Sequence, residues 1–249
     1  PGFDVTVVDL NIATKASIVD DFDYIVFGTP VYHCYPPDTV MEFIHKIQLQ
    51  LKYKRVFLFA TYGLYSGNTL RTIAKKLQAK NIHCVGHIGL RGPGSDVSLM
   101  APDWFKFVFR YEKSTRRKLE FAAKKISETF HCQNPKTRIP FFKWYAPLDY
   151  IPNRLIGRSI YQSIYKHHLE LLLDRWDESS IECPRYCWVM QGGNPTFHPR
   201  NCEFCMRCVH RTPGKAVVFS TSMKNKPRLD QNFYTEKKKE ILGEDFSKF

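Results

Sequence analysis

Apolar positions in the first third of the chain alternate between two periods. Residues 3–10, 23–28, 55–60 and 82–88 read as strands, and the nearly continuous apolar run of 23–28 and the buried run of 55–60 suit strands covered on both faces in a parallel sheet. Between them Val40, Phe43, Ile44 and Ile47, and then Leu70, Ile73, Ala74 and Leu77, recur at helical spacing. Strand and helix alternate, so the sequence predicts an α/β, doubly wound parallel sheet. Residues 103–130 read as one long helix with Phe105, Val108, Phe109, Leu119, Ile126 and Phe130 along its length. Residues 135–152, interrupted by prolines and rich in aromatics, read as a surface tether, and 153–175 as a helix carrying Ile156, Ile160, Ile164, Leu171 and Leu172. Val217, Val218 and Phe219 mark a short closing strand, after which the lysine-rich tail is expected to be mobile. The predicted organisation is a sheet domain over 1–134, a tether and helix over 135–178, a cysteine module over 179–222 and a basic tail over 223–249.

Composition narrows the picture. With 249 residues and 43% apolar content, the chain can bury one sizeable core and a small second module. It has no run of 18 apolar residues and no charged-then-apolar leader, so neither a membrane span nor a signal peptide is expected. The formal charge of +13 is densest at Lys75-Lys76, Arg116-Arg117-Lys118, Lys124-Lys125 and Lys237-Lys238-Lys239. Such runs suit solvated helix faces, and a basic surface steers an acidic redox partner or an anionic cofactor. No nucleic-acid motif is present, so no nucleic acid is expected as a partner.

Five of the eight cysteines fall between Cys183 and Cys208. Cys202, Cys205 and Cys208, followed by Thr212-Pro213, are similar to the C-x2-C-x2-C-x3-C-P run of bacterial ferredoxins, with threonine in the fourth position. Three thiolates at this spacing reach three corners of one [4Fe-4S] cluster. A fourth ligand must come from elsewhere, and Cys183-Pro184, 19 residues before Cys202, matches the exported cysteine that precedes a proline in that pattern. Cys187 is the competing candidate. The second cluster of such ferredoxins would need cysteines at Leu173, Trp176 and Ser179, where there are none, so one cluster is expected. Four or five cysteines also suit a tetrahedral zinc site, and a metal-free remnant is the third reading. Gly192-Gly193-Asn194-Pro195 supplies a turn between the two cysteine groups. Thiols clustered for metal, with Cys34, Cys84 and Cys132 scattered, point to a reducing, cytoplasmic setting.

Two predicted strand ends carry further chemistry. The second strand runs out through Gly28-Thr29-Pro30-Val31-Tyr32, and the third through Thr61-Tyr62-Gly63-Leu64-Tyr65-Ser66-Gly67-Asn68. Ligands of doubly wound sheets sit outside the carboxyl ends of the strands. These loops resemble the flavodoxin pattern, and together with the cysteine run the chain resembles the flavodoxin-ferredoxin fusion family. The resemblance implies that Tyr32 stacks on the flavin ring of FMN, that Thr29, Pro30 and Val31 line its edge, and that Thr61, Tyr62, Gly63 and Gly67 close the other side. Flavodoxins hold the FMN phosphate in a loop between the first strand and first helix, and no Ser/Thr/Gly/Asn-rich stretch precedes Phe3. The resemblance therefore implies an N-terminally truncated sequence that lacks a βα unit of roughly 30 residues, with FMN a cofactor of a longer parent and bound weakly or not at all by this stretch. The expected function is single-electron relay through one [4Fe-4S] cluster, to or from a flavin. The alternative is a zinc-stabilised, basic partner-binding module.

Overall fold

The structure, a computed structural model, describes residues 3–32, 34–100, 102, 104–145, 168–177, 181–220 and 225–243. Three parallel strands form its first sheet in the order β1 (Tyr24–Pro30), β2 (Lys54–Tyr62), β3 (Ile82–Arg91). Helix α1 (Asp38–Lys46) links β1 to β2, and α2 (Thr69–Gln78) links β2 to β3. The apolar run in β2 is continuous because both of its faces are covered. Val56 and Leu58 join Val40, Ile44, Ile73 and Leu77 on the α1/α2 side. Phe57 points the other way, into a core with Val85, Ala122 and Phe130. The last two belong to α4 (Thr115–His131), which follows the short helix α3 (Val97–Met100). Helices on both faces of a parallel sheet make this an α/β domain.

Several expectations require correction. Residues 3–10 form no strand: they have no ladder partner among the described residues, and Val5 and Val7 are left 71% and 87% exposed. Phe3 packs edge-on against Phe130 at a centroid distance of 6.1 Å, and Leu10 packs against the α1/α2 core. The predicted helix 103–130 begins only at Thr115. Glu112 exchanges hydrogen bonds with the end of β3, its N–H donating to the Arg91 carbonyl (3.1 Å) and its carboxylate accepting from the Arg91 N–H (3.1 Å). That extended link interrupts the helix and leaves a single 3-10 turn at Lys106–Phe109.

The helix predicted over 153–175 lies largely outside the described residues, and its described end is a strand followed by a single 3-10 turn at Leu173–Arg175. Leu169–Leu171 is strand β4, with Lys/Arg-free sequence LEL. Tertiary pairing decides this: Leu169 lies opposite Phe219 and Leu171 opposite Val217 in an antiparallel ladder with β7 (Val217–Phe219). Between them come the hairpin β5 (Trp188–Gln191) and β6 (Asn194–Phe197) and helix α5 (Arg207–Arg211). The hairpin turns at Gly192 and Gly193, both with positive φ (58° and 85°), as a two-residue loop requires. The tail is not wholly irregular either. Helix α6 (Gln231–Leu242) starts where the Asp230 carboxylate accepts from the Phe233 N–H (2.9 Å) and ends at Gly243 (φ 87°), two capping signals that its lysine content masks. Among the described residues no helix is long and apolar enough to cross a membrane.

A second core surrounds the cysteine segment, formed by Leu169, Phe204, Met206, Val209, Val217 and Phe219. Leu99 of α3, fully buried, completes it, so the two cores meet through the segment that follows β3.

A crowded point of the sheet gives a test. A Cβ on Gly86 would lie 2.5 Å from Cε2 of Phe57, whose side chain is 1% exposed and cannot withdraw. Gly86→Ala is expected to lower stability by about 1–3 kcal/mol through overpacking. Chemical denaturation checks this, and an unchanged midpoint would show that the Phe57 ring has room to move.

Candidate functional site

The ends of β1 and β2 build one wall of the site. Val31 extends the ladder, its N–H donating to the Thr61 carbonyl at 2.9 Å. Tyr32 and Tyr35 then exchange two backbone hydrogen bonds of 3.0 Å across a turn in which Cys34 takes a positive φ of 62°. Gly67 locks the second loop to that turn. It has φ 52°, and a Cβ there would stand 2.3 Å from the Cys34 carbonyl oxygen, so neither its conformation nor its surroundings accept a side chain.

A cavity of about 490 Å³ opens in front of these loops. Of the eight residues assigned to flavin by resemblance, Pro30, Val31, Tyr32, Thr61, Tyr62 and Gly63 line it. Thr29 and Gly67 do not. Thr29 is buried with its hydroxyl on the Pro30 carbonyl (2.8 Å), and Gly67 lies behind the wall. Both support the loops without facing the space. The opposite wall was not legible in the sequence: it includes Phe204, Cys205, Arg207 and His210 from the cysteine segment and Tyr234 from α6. The Tyr32 phenol sits where the walls meet, pushed well above its ordinary range by burial and by Cys205 and Glu203 nearby.

The cysteine segment is shaped by two unusual backbone conformations. Phe204 and Met206 both lie in the left-handed region (φ 58° and 59°), which is uncommon for bulky residues. Their side chains are 2% exposed in the second core, and that burial holds the turns. The chain thus reverses between successive cysteines while its alternate side chains anchor it. Two backbone N–H groups point at sulfur, Phe204 to Cys202 Sγ (3.4 Å) and Cys187 to Cys183 Sγ (3.3 Å).

All eight cysteines are free, and five gather here. Cys187 reaches both Cys183 and Cys202, and Cys205 and Cys208 interact with each other and with Cys202 and Cys183. A hydrogen bond from Cys187 holds the Cys183 thiol down at about 6, against its burial. Donation to Cys183 and Cys202 drives the Cys187 thiol far up, and burial lifts Cys205 to about 12. The buried indole N–H of Trp188 faces Cys208 and reaches no acceptor at ordinary hydrogen-bond geometry.

Among the described residues, no group of three or more Cys, His, Asp or Glu side chains is placed to hold a metal ion.

The two walls are fastened by one carboxylate. Glu203, 6% exposed and between Cys202 and Cys205 in sequence, accepts from both the N–H and the hydroxyl of Thr39 at 2.5 Å each. Thr39 is the second residue of α1, so an anion sits at a helix N-terminus, where free N–H groups and the helix dipole favour it. Arg185 lies 3.6 Å from Glu203 and 2.7 Å from Glu42 of the same helix. Its hydrogen bond holds the Glu42 carboxyl below its usual range. The Ile12 N–H donates to the Pro184 carbonyl (3.1 Å) beside them.

Comparison with known proteins agrees with the first wall. Residues 3–93 match the family model described as the flavodoxin domain, which carries the α/β fold and both loops. No curated protein and no solved structure matches the chain.

Removing the fastening carboxylate tests the arrangement. Glu203→Ala leaves two buried donors of Thr39 without an acceptor and should cost about 3 kcal/mol, whereas Glu203→Gln, which keeps one acceptor oxygen, should cost less. Urea unfolding measures both, and a wild-type midpoint for E203A would remove this carboxylate from the account.

Proposed function

We propose that the chain relays single electrons between a flavin held in the 490 Å³ cavity and one [4Fe-4S] cluster held by Cys183, Cys202, Cys205 and Cys208, with Cys187 as a neighbouring thiol. One observation carries the reading: Cys205 lines the same cavity as the Pro30–Tyr32 and Thr61–Gly63 loops. The flavodoxin domain supports a flavin-linked electron-transfer role. Bound in this site, the two groups would supply the electron storage and exchange that amino-acid side chains lack.

The chain's own residues do the rest. Tyr32 and Tyr62 offer aromatic faces to the flavin ring, and the backbone at Thr61 and Gly63 offers polar groups to its edge. Phe204 and Met206 keep water from the sulfur side, and Cys205 stands between that side and the cavity. Charge is the remaining element of the reading. At +13 overall, the surface would steer an acidic redox partner, and eight free thiols suit the reducing cytoplasm.

Anaerobic reconstitution with iron and sulfide tests the reading directly. The expected product holds about four irons per chain, quenches the fluorescence of added flavin, and develops a cluster EPR signal when that flavin is photoreduced. Tyr32→Ala should weaken flavin affinity about tenfold, roughly 1.4 kcal/mol. Uptake of one zinc per chain with refusal of iron would sink the proposal.

Paired serine variants test the fourth ligand. Cys183→Ser should lose the four-iron spectrum and Cys187→Ser should keep it, since only Cys183 precedes a proline. The opposite result moves the ligand to Cys187.

A further inference from the structure

Among the described residues, Nε, Nη1 and Nη2 of Arg228 and Nε1 of Trp188 are buried with no partner at hydrogen-bond geometry, and both side chains act on the sulfur of Cys208. Arg228 is 5% exposed. Its charge is opposed by a second cation, Arg175, and is favoured by the sulfur of Cys208.

The segment cannot swing the guanidinium into water. Leu229, 2% exposed, donates its N–H to Nδ1 of His210 at 3.1 Å. His210 is thereby left with its proton on Nε2, which donates to the Ser95 carbonyl at 2.8 Å. One ring thus ties the Arg228 segment to α5 on one side and to the loop after β3 on the other.

A buried guanidinium without a counter-charge, and a buried donor without an acceptor, each destabilise the fold that holds them. Both groups act on the Cys208 sulfur, and they are accounted for together if that sulfur belongs to an anion when the protein is loaded. We infer that Arg228, with the indole N–H of Trp188, is the counter-charge of the cluster bound at Cys208 and holds its reduction potential up. The inference rests on the cluster reading above. Reduction by an external one-electron reductant adds one electron, and so one negative charge, to the thiolate-bound cluster with no bond made or broken. A fixed buried cation stabilises that reduced state more than the oxidised one. Arg228 is therefore a tuning residue, not a ligand.

The test uses the full chain as wild type, Arg228→Met, Arg228→Lys and Arg228→Gln, each reconstituted anaerobically and titrated with dithionite while the EPR and visible spectra are followed. R228M keeps the length and loses the charge. It should load iron as the wild type does, with its reduction equilibrium constant lowered tenfold or more, a shift of about 59 mV to more negative potential for one electron. R228K should recover most of that shift. Without metal the sign reverses: apo R228M should melt above the apo wild type, because an uncompensated charge has been removed. A purely structural arginine gives neither the potential shift nor this reversal.

A loaded R228M with the wild-type potential overturns the inference while leaving the cluster reading standing, as does an apo R228M that melts lower. A wild type that takes up no iron defeats the cluster reading itself. Should R228M refuse iron, loading of R228K but not R228Q supports charge compensation, and refusal by R228K overturns it.

Discussion

Everything about the site depends on where one carboxylate is allowed to sit. Glu203 is carried by the cysteine segment but spends its hydrogen-bonding capacity on Thr39, 164 residues away in sequence, at the first turn of α1. A buried carboxylate is tolerated only where donors or cations meet it, and here it finds two donors, a helix terminus and Arg185. These requirements are met in one position, so the segment from Cys202 to Cys205 has one place to go. That place puts Cys205 against the loops at the ends of β1 and β2.

The same constraint explains the backbone of the segment. Between one sulfur and the next the chain has to present a thiol to one side and a large apolar side chain to the other, within three residues. Phe204 and Met206 do this from left-handed conformations that would ordinarily cost a kcal/mol or so each. Both side chains are almost completely buried beside Val209 and Phe219, and burying residues of this size contributes about 1.5–3 kcal/mol apiece. The strain is therefore smaller than the packing that holds it, and the cysteines inherit rigid positions from residues that have no chemistry of their own.

The strands and their helices were legible because each satisfies a local rule. The apolar runs at 55–60 and 82–88 announce strands covered on both faces, and the stripes Val40 to Ile47 and Leu70 to Leu77 announce the helices that cover them. The loops at Thr29–Tyr32 and Thr61–Gly63 could be found because they lie at strand ends, where such sheets bind ligands. What failed was decided by distant partners. Residues 3–10 have the composition of a strand but no ladder to join, and 169–171 have the composition of a helix but meet β7. The second wall of the cavity, contributed by Phe204, Arg207, His210 and Tyr234, could not be read at all, because no spacing in the sequence reports that α5 and α6 face β1. Only the caps of α6, Asp230 and Gly243, were available and passed over.

Arg228 shows the limit of such reading most clearly. In sequence it is one more cation in a chain with 37 lysines and arginines, within a stretch whose charge suggests a solvated tail. Its neighbours reverse that impression, since Leu229 is buried and its N–H is committed to His210. A side chain that the fold takes out of water and then leaves without a partner fits the proposed cluster, whose charge the polypeptide does not itself supply. The Trp188 indole, buried without an acceptor at hydrogen-bond geometry, acts on the same Cys208 sulfur. Compensation of this kind separates a site arranged for bound thiolates from a cluster of cysteines that merely fill a core, because an apolar core would exclude both donors.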